Sequence, residues 1–309
     1  MNQPYTIIGA GGAIGENLVR ILKQNEEAVR LVSRSGKAFP DCEIVKADAL
    51  NKSQMREAIR GSKVVFMLIG IEYKLTVWQK SWPQIMEILI ESCASENVPV
   101  IFFDNVYMYG KVEGEMTEST PFKPISQKGE VRAAIAKQFI QAYESGKIKG
   151  IIARSADFYG PFAEKMSFFE IMVIQNVAKG KAPQWMVNAV VPHSLTHTED
   201  AARGLYLLAK DDFAWNQTWH LPTASPALSG NQLMQIALEH SQNKKKPTVF
   251  GKFMLKLIGL FIPTIKESQE MLYQLEFPYI FNSEKFNNRY GNIATSYDEG
   301  IIKRLEQNQ

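Results

Sequence analysis

The chain has few cysteines and few histidines, and this scarcity excludes several classes of protein. Its 309 residues include two cysteines and four histidines. Cys42 and Cys93 lie far apart and form no C-x-x-C or zinc-ligand pattern, so we expect free thiols in a reducing compartment. His193 and His197 have acidic neighbours, but in an extended strand residues four apart are separated by about 13 Å, too far to share one metal ion. We expect no metal site here, although on a helix the same spacing would suit one.

Long hydrophobic runs and strong net charge are also missing. The longest apolar runs, Val64–Ile71 and Phe253–Pro263, are too short to span a bilayer, and Lys256 interrupts the second. A net charge of +3 is too small to indicate nucleic acid or an acidic membrane surface as a partner. The first strand begins almost at Met1, which leaves no room for a signal peptide. We therefore expect a cytoplasmic protein that binds neither nucleic acid nor membrane.

One basic apolar stretch near the end of the chain has two interpretations. Lys252–Ile262 could form a membrane-surface helix, with Lys252 and Lys256 among bulky apolar residues. Its length and its position before Pro263 favour a helix buried against the protein core. We therefore expect this stretch to be buried.

A glycine-rich turn stands near the start of the chain, between a strand and a helix. Tyr5–Ile8 is short, apolar and β-branched, and Glu16–Gln24 has apolar residues at helical spacing. In such a turn the first glycine permits the tight bend, the second lets the backbone approach a pyrophosphate, and the third lets the helix pack close to the strand. We predict a dinucleotide site in which the turn contributes Gly9, Gly12, Ala13, Ile14 and Gly15.

The end of the second strand predicts which dinucleotide binds. Ala28–Ser33 is followed by Ser33-Arg34-Ser35, where an acidic residue would bind the ribose 2′-hydroxyl of NAD. An arginine between hydroxyls suits a 2′-phosphate instead, so we expect NADP, with NAD as the alternative. A solvated surface arginine is the simpler interpretation of Arg34.

Further cofactor contacts are predicted at the ends of the next strands. Asp48, beside Ala49, could accept a hydrogen bond from the adenine amino group or merely cap the turn. Val64–Gly70 is apolar throughout, as in a central parallel strand buried on both faces. We expect its end, at Leu68, Ile69 and Gly70, to lie beside the cofactor.

The alternation of strands and helices continues to the middle of the chain. Trp78–Glu96 and about Gly129 to Glu144 are predicted helices, and Pro99–Phe103 and Ile151–Arg154 are predicted strands. Strands that alternate with helices predict an α/β protein with a doubly wound parallel Rossmann sheet.

Several motifs together resemble the extended short-chain dehydrogenase/reductases, which include the NAD-dependent epimerase/dehydratase family. They are Gly9-x-x-Gly12-x-x-Gly15, Tyr109-Gly110 after a strand, Asp157-Phe-Tyr-Gly-Pro161, and His197-Thr-Glu-Asp200-Ala-Ala-Arg-Gly-Leu205. The resemblance spans roughly residues 5 to 240. It implies a smaller, largely C-terminal lobe that covers the substrate, with the Rossmann domain at 1–155 and 198–222 and the lobe at 156–197 and 223–309.

The resemblance also indicates where catalytic residues belong, and there the sequence departs from the family. Family members have Ser or Thr where this chain has Asn105, and a Tyr-x-x-x-Lys pair where the matching register has Lys128 and Arg132. Such departures resemble the atypical members of the superfamily. The usual tyrosine acid is therefore missing.

Other residues could replace the missing pair. Asn105 can donate to a substrate oxygen, Lys128 can bind the nicotinamide ribose or an oxyanion, and Arg132 can form an ion pair. Tyr107 and Tyr109 share strand parity with Asn105 if the backbone is extended. Further predicted contacts are Asn105, Lys128, Ala156 and Phe158 with the cofactor, Tyr159 with the nicotinamide pocket, and Tyr273, Phe277 and Tyr279 with substrate.

Two classes of function remain open from the sequence. The first is an NADP(H)-dependent oxidoreductase or epimerase that acts on a small carbonyl or sugar-like substrate. The second is a non-catalytic NADP-binding regulator, which the missing Tyr-x-x-x-Lys pair favours; a protein scaffold with an empty cleft is third. Family analogy implies a homodimer through the helices at 78–96 and 129–144.

Overall fold

A seven-stranded parallel sheet forms the centre of the computed structural model, which describes residues 3–36 and 39–307. The predicted domain limits at residues 1 and 309 lie outside these ranges. The strands are β1 (Tyr5–Ile8), β2 (Val29–Ser33), β3 (Glu43–Lys46), β4 (Val64–Met67), β5 (Val100–Asp104), β7 (Gly150–Arg154) and β11 (Gln217–His220). Their order across the sheet is β11-β7-β5-β4-β1-β2-β3, and every pairing is parallel.

Helices cover both faces of this sheet. They are α1 (Ala13–Gln24), α2 (Lys52–Ile59), α3 (Leu75–Glu96), α4 (Gln127–Glu144) and α6 (Thr198–Lys210). One hydrophobic core joins α1 and α6 to the sheet, and a second joins α2, α3 and α4 to its other side. Both faces of a parallel sheet are thus buried, which is why its strands are apolar throughout. The predicted doubly wound α/β fold is confirmed.

Short elements outside the sheet build a third core. Three two-stranded pairs join β6 (Glu115–Met116) to β13 (Ile280–Phe281), β8 (Asp157–Tyr159) to β10 (Leu195–His197), and β9 (Gln184–Met186) to β12 (Thr248–Phe250). The remaining helices are α5 (Gln175–Ala178), α7 (Gly230–Glu239), α8 (Lys252–Ile258), α9 (Pro263–Ser268), α10 (Tyr273–Glu276), α11 (Glu284–Tyr290) and α12 (Tyr297–Glu306). A π-helical turn over Glu170–Ile174 leads into α5. Phe169, Trp185 and Ile301 are among the fully buried side chains of this core.

The boundaries of some elements differ from their predictions. Helix α1 begins at Ala13 rather than Glu16, because the chain turns directly from Gly12 into the helix. Strand β4 ends at Met67, so Leu68 to Gly70 form an exit loop rather than strand. Helix α3 begins at Leu75, before the predicted Trp78.

The prediction that Lys252–Ile262 is buried against the core is wrong. Leu255 is buried, but Phe253, Leu260 and Phe261 are 76%, 73% and 85% exposed. The stretch forms α8 and a turn into α9, and this path leaves one apolar side in solvent. None of the helices within the described ranges has the length and apolarity needed to cross a membrane.

Candidate functional site

The glycine turn packs as tightly as the motif requires. Gly9 has φ +93°, and a Cβ there would lie 2.9 Å from the Ile69 Cα. A Cβ on Gly15 would lie 2.7 Å from the Ala10 Cα, so the third glycine brings α1 against the turn. Around Gly12 the nearest atom to such a Cβ is the Gly9 oxygen at 3.7 Å, which leaves room beside the backbone. Close backbone packing thus excludes a side chain at Gly9 and Gly15, whereas space for a ligand remains beside Gly12.

The first turn of α1 follows Gly12, where no side chain caps the helix. Ala13, Ile14 and Gly15 are the first three residues of this helix, and all three are buried. The first N–H groups of an α-helix lack intrahelical acceptors and carry the positive end of its dipole. The helix start thus suits an anionic group.

A cavity of about 850 Å³ opens beside the glycine turn. It lies where β1 separates β4 from β2, at the point where the strand order reverses and where doubly wound sheets bind ligands. Of the residues predicted to contact the cofactor, its lining contains Gly9, Gly12, Ser33, Arg34, Ser35, Asp48, Ala49, Leu68, Ile69 and Gly70. The size, the uncapped helix and the glycine packing fit a dinucleotide.

Ser33, Arg34 and Asp48 line the cavity at or just after the ends of β2 and β3. Arg34 is exposed at the cavity, and within the described chain no residue forms an ion pair with it. The Ser33 hydroxyl accepts a hydrogen bond from the Gly36 N–H at 3.0 Å. Asp48 accepts one from the Leu50 N–H at 3.0 Å, so it caps the turn, which is one of its two predicted roles.

At the end of β5 the backbone does not stay extended. The Asn105 side-chain oxygen accepts a hydrogen bond from the Tyr107 N–H at 3.0 Å, and Tyr107–Tyr109 form a 3-10 turn that ends at Gly110. An Asn that bonds to the backbone two residues ahead favours a turn over a strand. The predicted strand parity of Asn105, Tyr107 and Tyr109 is therefore wrong.

The two tyrosines go to different environments as a result. The Tyr107 ring stacks on Trp78 at 6.1 Å. The Tyr109 hydroxyl instead lies 2.7 Å from Arg154 Nη1 and 2.8 Å from His220 Nε2 in the interior. Of the two tyrosines, only Tyr107 lies near Tyr73, which contacts Lys128.

Lys128 is buried, and acidic side chains from a distant part of the chain hold its ammonium group. Its Nζ lies 2.9 Å from Glu267 Oε2 and 3.0 Å from Glu270 Oε1, and it donates to the Glu267 carbonyl at 2.8 Å. The bond from Lys128 holds the pKa of Glu267 below its ordinary value, although partial burial opposes this. The Tyr73 ring lies 4.8 Å from the same ammonium.

Arg132 also has a buried acidic partner. Its Nε donates to Asp104 Oδ1 at 2.8 Å, and Nη2 binds the same oxygen. The guanidinium lies 4.5 Å from the Trp82 ring centroid. Arg154 approaches the other Asp104 oxygen at 3.6 Å. Arg132 thus serves in a structural ion pair.

Aromatic hydroxyls surround the Lys128 side of the site. Burial raises the pKa of Tyr73 to about 12; the hydrogen bond with Tyr107 opposes this rise, and the Asp157 charge adds to it. Burial also raises the pKa of Tyr107, Tyr273 and Tyr279, with the Asp157 charge acting in the same direction. The Tyr273 hydroxyl lies near Ser126 without a well-aligned hydrogen bond. These hydroxyls stay protonated at neutral pH and can donate hydrogen bonds.

Some members of this group could not be found from the sequence. Tyr73, Glu267 and Glu270 were not predicted, because no local spacing links Lys128 to a helix 139 residues later. Tyr273 and Tyr279 were expected to touch substrate, and the structure places them beside Asp157, whose side chain is 29% exposed. Phe277 lies apart, with the Lys111 ammonium 3.5 Å from its ring centroid.

The other predicted cofactor contacts are not among the residues that line the cavity, and they stay predictions: Ala13, Ile14, Gly15, Asn105, Lys128, Ala156 and Phe158. The Ala156 N–H donates to the Thr196 hydroxyl at 3.1 Å, and Phe158 lies in β8. Tyr159 is buried against His197, with ring centroids 5.2 Å apart.

The two histidines lie on one extended segment, as the sequence indicated. His197 ends β10, while the His193 ring lies 3.0 Å from Asp157 and stacks on Tyr279 at 4.4 Å between centroids. Across residues 3–36 and 39–307, no group of three or more His, Cys, Asp or Glu side chains could hold a metal ion.

Comparisons with solved structures find the same fold in enzymes of nucleotide-sugar chemistry. UDP-N-acetylglucosamine 4-epimerase from Bacillus cereus is 15% identical, with a TM-score of 0.77 over 99% of this chain and 96% of that one. UDP-glucose 4-epimerase from Thermotoga maritima with UDP-glucose is 18% identical, with a TM-score of 0.79 over 99% and 98%. The complex of UDP-glucose 4-epimerase from Thermus thermophilus with NAD is 14% identical, with a TM-score of 0.80 over 99% of each chain.

Similarity at this level of identity shows the fold. No curated protein matches the chain. A family model, described as the NAD dependent epimerase/dehydratase family, matches residues 5–218, more than half of the chain. The chain therefore belongs to the NAD dependent epimerase/dehydratase family.

Proposed function

We propose that this protein is an NADP(H)-dependent oxidoreductase or epimerase acting on a small carbonyl or sugar-like substrate. The observation that carries the proposal is the cavity, which extends from Arg34 past the glycine turn to Glu72. Tyr73, the next residue, contacts the Lys128 ammonium. A dinucleotide in this cavity would have its adenosine ribose at Arg34 and its nicotinamide near Lys128. The fold shared with nucleotide-sugar epimerases supports a sugar-like substrate.

The residues at the reactive end would bind and orient the substrate. The nicotinamide supplies hydride acceptance and donation when bound. In this proposal the Asn105 amide and the Tyr107 hydroxyl would donate hydrogen bonds to a substrate oxygen, and Lys128 would add positive charge nearby. Because burial raises the pKa of Tyr107, its hydroxyl holds its proton firmly and is a weak general acid.

A second function, a non-catalytic NADP-binding regulator, has specific support from the ion pairs. Both residues in the catalytic slots already have acidic partners, Lys128 with Glu267 and Glu270, and Arg132 with Asp104. Under this alternative, nucleotide binding would alter the contacts that the protein makes with a partner, and no substrate would be turned over.

Titration with NADPH and NADH, followed by nicotinamide fluorescence, tests the cofactor. Aldehydes, ketones and UDP-sugars are then added, and hydride transfer and epimerised products are measured. Tight NADPH binding with turnover of any substrate supports the enzyme. Tight binding without turnover supports the regulator, and the absence of nucleotide binding contradicts both.

Substitutions at the reactive end test the proposed roles. We expect Asn105→Ala and Tyr107→Phe to lower kcat by about 10-fold to 1,000-fold. Tyr107→Phe should leave nucleotide affinity unchanged, because of the two residues only Asn105 is a predicted cofactor contact. Tyr206→Phe is the matched control, because Tyr206 lies away from the cavity and bonds to Glu27. Unchanged kcat in both variants would remove Asn105 and Tyr107 from the mechanism.

A further inference from the structure

The α8–α9 segment, defined as residues 252–266, carries a concentrated apolar surface. Its exposed large hydrophobic side chains are Phe253, Met254, Leu257, Leu260, Phe261 and Ile262, each 46–85% exposed. They fall within ten consecutive residues. Ile125, which is 59% exposed, lines a groove of about 410 Å³ together with Phe253 and Lys256. Glu270 and Glu276 line the same groove, so the concentrated apolar surface is confined to the segment itself.

Exposing these side chains is costly for an isolated protein. Side chains left in water forgo the free energy gained on burial, and clustered exposed apolar groups mark interaction sites. Leu255 and Gln269 fix the segment to the lobe, since Leu255 is buried and the Gln269 amide donates to its carbonyl at 3.0 Å. These two contacts anchor the segment and leave its apolar side chains facing solvent.

The charges along this stretch of the chain have one sign. From residue 240 to 266 the sequence contains six lysines and no aspartate or glutamate. Lys252, Lys256 and Lys266 are exposed within the segment, and Lys252 pairs with Glu276. A second copy docked on the same surface would bring equal charges together, which costs free energy. An anionic surface would be attracted instead.

We propose that the α8–α9 segment docks on an anionic lipid surface. The apolar side chains enter the boundary between headgroups and acyl chains, and the lysines lie at the lipid phosphates. Bulky apolar residues beside lysines are the combination that interfacial segments use. The binding is peripheral and independent of the function proposed above.

Vesicle sedimentation of the full chain tests the proposal. Wild type should sediment with vesicles of phosphatidylcholine mixed with phosphatidylglycerol, far less with phosphatidylcholine alone, and less at high salt. We expect Phe253→Ser/Leu260→Ser/Phe261→Ser to reduce binding by more than about tenfold. Lys256→Gln/Lys266→Gln should reduce it by about fivefold for each lysine.

A matched control removes exposed apolar surface elsewhere. Val190→Ser/Phe213→Ser changes side chains that are also highly exposed but lie outside the segment, and it should bind vesicles like wild type. Thermal denaturation of each variant checks that it folds. Failure of wild type to bind anionic vesicles, or equal binding to both vesicle types, would overturn the proposal. The proposal would also be overturned if wild type bound no vesicles but self-associated, and if the triple serine variant abolished that self-association.

A local reporter gives a second readout. The native tryptophans are all buried, so Phe261→Trp adds one exposed indole. Brominated lipids should quench that added fluorescence in anionic vesicles. Sedimentation without quenching would place the lipid contact elsewhere and overturn the assignment to this segment.

Discussion

At the residue scale, Lys128 shows how a buried charge depends on partners from a distant part of the chain. The predicted register puts Lys128 in the position of the family's tyrosine, and the structure gives its ammonium two carboxylate partners. A charged side chain that is almost fully buried needs such partners, because desolvation without them is costly. Glu267 and Glu270 thus offset the cost of burying the Lys128 ammonium.

Arg34 provides a test of cofactor choice. We expect Arg34→Asp to weaken NADPH binding by about 1–3 kcal/mol, because a charge-assisted contact to the 2′-phosphate is lost and repulsion replaces it. NADH binding should change little. The affinities are measured by fluorescence titration.

Lys46→Asp is the control for Arg34. It makes the same charge reversal at an exposed residue that ends β3 and is not among the cavity-lining residues. Equal losses for NADPH and NADH in Arg34→Asp, or equal losses in both variants, would show that Arg34 does not read the 2′-phosphate.

At the scale of elements, the glycine turn sets the distance between α1 and the sheet. Gly9 and Gly15 each make a close approach, the first to the Ile69 backbone and the second to the Ala10 backbone. The sequence motif predicted this packing correctly because its cause is local. The strand parity predicted for Asn105, Tyr107 and Tyr109 is wrong, because the Asn105 side chain accepts a hydrogen bond from the Tyr107 N–H and so favours a 3-10 turn.

Gly15→Ala tests the packing of α1. A Cβ at this position would meet the Ala10 backbone at 2.7 Å, so α1 must shift, and we expect about 1–3 kcal/mol of lost stability in urea unfolding. NADPH affinity should fall as well, because the helix start moves.

Gly11→Ala is the matched control in the same turn. No atom lies within 4 Å of a Cβ there, and Gly11 has no positive φ, so stability should stay within about 0.5 kcal/mol of wild type. If both variants unfold at the same urea concentration as wild type, the turn is more deformable than its packing indicates.

At the scale of the whole molecule, buried side chains connect the central sheet to the shorter elements outside it. Arg304 on α12 bonds to Glu170 on the π-helical turn at 3.0 Å. Helix α11 returns to the sheet, where Phe286 is buried in the core that contains α1 and α6. Contacts from distant parts of the chain thus fix the lobe. A homodimer through α3 and α4, and the cytoplasmic location, stay predictions.

Buried histidine makes the stability of the whole chain depend on pH. Burial lowers the pKa of His197 to about 4, with nearby cationic side chains adding to this and Glu199 opposing it. Between about pH 6.5 and 4 the unfolded chain binds a proton that folded His197 does not, so stability falls with acidification by at most about 1.4 kcal/mol per pH unit.

His197→Phe should reduce that slope, as measured by urea unfolding at several pH values. The ring nitrogens of His197 have no hydrogen-bond partner among the described residues, so Phe removes no such bond. His240→Gln, at an exposed histidine, should keep the wild-type slope. An unchanged slope in His197→Phe would show that His197 gains its proton in the folded protein as readily as in the unfolded chain.

The sequence by itself determined the features whose causes are local. Apolar strands, the glycine turn, the helix that follows it and the Ser33-Arg34-Ser35 segment lie close together in sequence. Gly9 and Gly12 of the turn and all three residues of that segment line the cavity. Strand and helix alternation also determined the doubly wound sheet, because parallel strands need covering helices.

Only the tertiary structure decided the partners that come from far along the chain. Glu267 and Glu270 reach Lys128 across about half of the sequence, and no periodicity encodes that contact. Tyr73 joins the same site from another loop. Tertiary structure also decided that α8 exposes its apolar side, since hydropathy measures how apolar a segment is and not whether a neighbour covers it.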